Sequence, residues 1–156
     1  LGYNFIGKLA APTLKDFFTR ANSAAMLGAS RSNEYIMGRV CELFLPTLAV
    51  ALDSGDSALE ESAAGALMGY SQLDDKTKVK MALNNSLVEV LVRIICKPHN
   101  SEVLFSQAAS IFTTLAKVPD CRGRLRAFED RLVVAFADAS SFHGDAIARC
   151  LQAINS

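Results

Sequence analysis

Apolar residues recur at three- and four-residue spacing along most of the chain, and no β-branched segment alternates polar and apolar between turns. The pattern predicts helices throughout and no strands. Five polar clusters interrupt it: "DSGDS" (53–57), "QLDDKT" (72–77), "KPHNS" (97–101), "KVPD" (117–120) and "ASSFHGD" (139–145). Their Gly, Pro, Asn, Asp and Ser cap helices and make turns. Between them, Leu59, Ala63, Ala66, Leu67 and Tyr70 form one apolar stripe, and Val79, Ala82 and Leu83 a shorter one. The next stretch, "SLVEVLVRIIC" (86–96), is apolar on most sides and needs cover on more than one face.

The same three parts return 45 residues later. Leu59, Ala63, Ala64, Leu67 and Tyr70 become Leu104, Ala108, Ala109, Phe112 and Leu115, while Leu87, Val88 and Leu91 become Leu132, Val133 and Phe136. The middle helix slips by one, so that Val79 and Ala82 match Leu125 and Phe128. Three consecutive elements returning in order mark an internal repeat. It places Leu67, Leu91, Phe112, Leu115, Leu132 and Phe136 in the core. Upstream, "CELFLPTLAVALD" (41–53) matches the third helix at an offset of 42, with Pro46 in its first turn, where a missing N–H costs nothing. Residues 13–30 read as a long helix and 33–40 as a short one; downstream, "GDAIARCLQAIN" (144–155) echoes the long helix once more.

A unit of about 40 residues, with paired alanines in "QAASIFTTLA", a polar turn in "KVPDCRGRL" and a Pro-introduced apolar helix in "LPTLAVAL", resembles the armadillo repeat. HEAT repeats are the alternative subclass. The resemblance implies an all-α, right-handed α-solenoid of about three to four repeats forming one domain over residues 1–156. Its units run approximately over 12–53, 56–96 and 101–139, with a partial one at 142–156. Ending inside a unit and lacking an initiator Met, the chain is expected to be a piece of a longer array, or else to close with a capping helix. Two departures stand out. Asn85 and Asp130 replace the Gly common before the third helix, and the first helices shrink to "DSALE" and "NSEVLF" or merge with the second.

Armadillo proteins bind extended peptides along a concave face lined by third helices. Carried onto this sequence, that strip holds Leu43, Thr47 and Ala51, then Asn85, Glu89 and Arg93, then Asp130, Val134 and Asp138, each trio spaced to lie on one helix face. Importin-like members grip basic peptides with a Trp and Asn ladder; this sequence has no Trp, so that mode is not expected. Glu89 and Arg93 also have i,i+4 spacing, and an intrahelical ion pair worth a few tenths of a kcal/mol is the competing account of both.

Composition narrows the function further. With 156 residues, 51% hydrophobic and 21% charged, the chain is an ordinary globular domain that needs no metal or disulfide staple. Sixteen basic and sixteen acidic residues cancel, which argues against nucleic acid or an anionic membrane as partner. No apolar run approaches the ~20 residues that span a bilayer, so no membrane insertion is expected. Cys41, Cys96, Cys121 and Cys150 form no C-x-x-C pair and read as reduced thiols in a cytoplasmic protein.

No catalytic, cofactor or metal site is expected. Ser141, His143 and Asp145 crowd one short segment, and neighbours along a chain point in different directions instead of converging as a triad. Cys96 and His99 lack a second ligand pair for zinc. "GALMG" (65–69) is a close-packing motif with polar flanks, and "NNS" (84–86) is a sequon relevant only to a secreted chain. The function expected is non-enzymatic: a scaffold holding another protein or an extended peptide in its groove. The alternative is a structural segment of a larger helical-repeat assembly that stacks through its ends.

Overall fold

The computed structural model describes residues 31–97 and 101–156. They form helices α1 (Arg31–Leu52), α2 (Ser57–Ser71), α3 (Asp75–Leu83), α4 (Asn85–Cys96), α5 (Glu102–Ala116), α6 (Pro119–Leu125), a 3-10 turn (Arg126–Phe128), α7 (Glu129–Asp138) and α8 (Ser141–Ile154). Among the described residues there is no strand. The helix expected over 13–30 lies outside them.

The helices begin where the polar clusters supply acceptors for free backbone N–H groups. Asp56 accepts from Leu59 N at 3.2 Å, Asp74 from Thr77 N at 2.9 Å, Asn84 from Leu87 N at 3.0 Å and Ser101 from Leu104 N at 3.1 Å. Each such cap contributes roughly 1 kcal/mol. Pro119 opens α6 at the position where it sacrifices no bond. Between α1 and α2 the chain reverses through Gly55, whose φ of 81° lies in the left-handed region that a Cβ disfavours.

Packing runs in three rows. α1 contacts α4 and α4 contacts α7; α2 contacts α5 and α5 contacts α8; α3 contacts α6. Side-chain hydrogen bonds follow the same spacing: Glu42 with Lys80 is 38 residues apart, Glu61 with Ser101 is 40, and Thr113 with Cys150 is 37. Leu67, Leu91, Phe112, Leu115 and Leu132 are fully buried, as the sequence pattern predicts.

The short first helices are merged into α2 and α5, one of the two arrangements expected. Three expectations are corrected. α1 is one continuous helix instead of two, so Pro46 sits in its interior, with its ring on the exposed side. "SSFHG" is not a turn; α8 starts at Ser141, three residues before the expected boundary. Phe136 is not core but 48% exposed. Its counterpart Leu91 is buried on α4, where both α5 and α7 pack, whereas on α7 only α8 takes the place of α5 and no described helix takes the place that α7 has on α4.

No helix among the described residues is long and apolar enough to cross a membrane. Cys41, Cys121 and Cys150 are buried, Cys96 is half-buried, and all four are free thiols. Burial pushes the Cys41 thiol up to about 12 and the Cys150 thiol up to about 11.

Candidate protein-binding groove

α4 and α7 lie side by side, and an open groove of about 720 Å³ runs between them, floored at one end by α8. Five of the predicted site residues line it: Glu89 and Arg93 from α4, and Asp130, Val134 and Asp138 from α7. A second groove, of about 760 Å³, lies between α1 and α4 and shares Glu89 and Arg93 with the first. These two side chains therefore stand on the ridge between neighbouring hollows.

Neither uses its partner one turn away. Arg131 of α7 donates to both Glu89 carboxylate oxygens at 2.8 and 2.9 Å, and Arg93 donates to both oxygens of Asp53, beyond the end of α1, at 3.2 Å. The hydrogen bond from Arg131 holds the Glu89 carboxyl below its usual range, aided by the Arg131 and Arg93 charges, and Glu89 in turn raises the Arg131 guanidinium. Both pairs are about half-exposed, a setting in which an ion pair typically contributes 0 to 1 kcal/mol. Their geometric effect is clearer: they tie α4 to the end of α1 on one side and to α7 on the other. Arg131 also lies over the Phe128 ring, 5.6 Å from its centroid, which restricts the guanidinium further.

Val134 is 65% exposed, an apolar side chain in a groove whose walls carry Asp130, Asp138 and Lys97. None of these three charges has an ion-pair partner among the described residues. At the floor, the His143 ring packs edge-on against Phe105 with centroids 4.6 Å apart, and its Nδ1 lies 2.9 Å from Ser140 Oγ. Its buried Nε2 has no hydrogen-bond partner among the described residues. Ser141 and Asp145 are both exposed, and neither pairs with His143.

Four predicted positions fall elsewhere, among them Leu43, which is 65% exposed on α1 and lines neither groove. Thr47 is 2% exposed, with a buried hydroxyl that has no partner among the described residues, and Ala51 is buried on the same helix; neither lines a groove. The α1 side of the second groove is Pro46 and Val50, with Ala49 between them and Asp53 just beyond the helix end. The first two stand one residue before Thr47 and Ala51, and one residue is about 100° around a helix. Asn85 is exposed at the start of α4, where it accepts from Arg124 at 3.5 Å, and it lines neither groove.

Sequence reasoning missed Asp53, Arg131, Lys97 and His143. Opposite charges 40 and 42 residues apart, close to the repeat length, would have pointed to the first two. Nothing comparable marks Lys97 or His143. Among the described residues no group of His, Cys, Asp and Glu is gathered as a metal site, and His99 lies outside them. No protein-family model, curated protein or solved structure matches this chain.

Proposed function

We propose that the protein is a right-handed α-solenoid of armadillo type, acting in the cytoplasm as a non-enzymatic scaffold that holds a partner protein or extended peptide along its third helices, α1, α4 and α7. The observation that supports this most is Val134, an exposed apolar side chain set in an open groove among charged neighbours. Apolar anchors near the centre of an interface dominate affinity, while surrounding charges set specificity and on-rate. Because both walls are helices tied by ion pairs, the groove exists before the partner arrives, and the partner bears the ordering entropy.

Capture of partners from a cell lysate by the intact protein, repeated with Val134→Asp and Arg93→Glu, tests the proposal. Val134→Asp is expected to abolish capture and Arg93→Glu to weaken it in a salt-dependent way, with helical content by circular dichroism unchanged in both. Normal capture by both variants would remove the groove from consideration.

A second reading, a structural segment that stacks through its ends, draws support from Val133, Phe136 and Phe142, which are about half-exposed on α7 and α8. It predicts that Phe136→Ser prevents assembly, read by light scattering, while Val134→Asp does not.

A further inference from the structure

Resting on the groove reading above, we infer that the hollow between α4 and α7 selects an extended segment of the form basic–x–apolar–x–basic, lying parallel to the two helices. Direction comes from the lining. One wall is built from Glu89 to Lys97 and the other from Asp130 to Ala139, so the long axis of the hollow follows the helices instead of crossing them.

Charge comes from what internal pairing leaves over. Arg131 and Arg93 are engaged by Glu89 and Asp53, which leaves Asp130 and Asp138 on the α7 wall as carboxylates without ion-pair partners among the described residues. Asp138 is the last residue of α7, where the negative end of the helix dipole adds to its own charge and no basic side chain occupies the last turn. A cation from outside relieves both.

Spacing comes from two periodicities. Asp130, Val134 and Asp138 are four residues apart, so the two carboxylates are separated by about 12 Å along the helix axis. An extended strand covers about 13 Å in four residues, and its residues i, i+2 and i+4 share one face. Basic side chains at i and i+4 then meet Asp130 and Asp138 while an apolar side chain at i+2 meets Val134. The intervening residues point to the α4 wall, where Arg93 and Lys97 disfavour further cations. A run of consecutive lysines is therefore a poor match.

Four fluorescently labelled peptides test this by anisotropy on the full chain at low ionic strength: Gly-Ser-Lys-Ser-Val-Ser-Lys-Ser-Gly, its Glu-for-Lys counterpart, its Ser-for-Val counterpart, and one with both lysines adjacent. The first is expected to bind at least about fivefold tighter than each of the others, and its preference over the Glu peptide shrinks with salt as surface ion pairs are screened. Asp130→Asn combined with Asp138→Asn is expected to erase the preference over the Glu peptide. If the Glu peptide binds as tightly and Val134→Ser still abolishes its binding, the charge assignment fails and the groove reading stands. Equal binding of the adjacent-lysine peptide overturns the register along α7. If no peptide binds, or binding ignores Val134→Ser, the groove reading falls and takes this inference with it.

Discussion

Glu89 on α4 is bound by Arg131 on α7, 42 residues away in sequence and 2.8 Å away in space, in preference to Arg93 one turn along its own helix. The two arginines thereby divide their work: Arg131 joins α4 to α7 and Arg93 joins α4 to the end of α1. The pairing makes Glu89 the most informative carboxylate to titrate.

Its midpoint, followed by carboxyl carbon NMR, is expected below 4.5 in the native protein and is expected to rise in Arg131→Gln. Linkage sets the sign. A carboxyl whose pKa is lowered by folding adds stability above its unfolded value, and that contribution is lost as pH falls through the folded value. The difference in urea midpoint between native and Arg131→Gln proteins should therefore be present at pH 7 and shrink in the acid range below pH 4.5. A difference that persists unchanged at low pH would mean that Arg131 stabilises through packing on Phe128 instead.

Phe112 is fully buried on α5. Phe112→Ala is expected to destabilise by ~3 to 5 kcal/mol, the usual range for a buried Phe, measured by urea unfolding. An unchanged midpoint would contradict its placement in the core.

Thr47→Val removes a buried hydroxyl that has no hydrogen-bond partner among the described residues, while keeping the side chain's shape. Burial of such a group costs ~1 to 3 kcal/mol, so the variant is expected to melt at or above the native temperature. A clear loss of stability would show that the hydroxyl is satisfied in solution.

Pro46 interrupts the interior of a 22-residue helix from its exposed side. Pro46→Ala restores the missing N–H and is expected to stabilise by roughly 1 to 3 kcal/mol in thermal melts. Destabilisation would indicate that the neighbouring residues have adapted to a bend.

The thiols should react in order of exposure. With Ellman's reagent at pH 8, half-buried Cys96 is expected to react first, while Cys41 and Cys150, whose pKa values burial raises to about 12 and about 11, wait for local opening. Equal rates for all four would contradict the burial pattern.

Much of this architecture is legible in the sequence because the signals are local. Asp56, Asp74, Asn84 and Ser101 announce helix starts by residue type, and the paired alanines of α2 and α5 mark their buried sides. The site is less legible, for three physical reasons. α1 is apolar on most of its circumference, so an offset of 42 or 43 residues suits the pattern equally, and the wrong one turns Thr47 outward. Phe136 has the same periodicity as Leu91, but burial depends on which helices pack over it, and periodicity within one helix does not report that. Arg93 has two sequence-compatible acidic partners, Glu89 on its own helix and Asp53 across a gap, and only tertiary placement chooses between them.

The three rows of nearest-neighbour contact bear on cooperativity. α1 and α2 share no substantial contact with α7 or α8, so each end senses the other only through the helices between them. In such a molecule unfolding has no need to be all-or-none, because terminal helices can fray while the middle persists. Amide exchange should then be slowest in α4 and α5 and grow faster toward α8, and the calorimetric enthalpy should exceed the van't Hoff value.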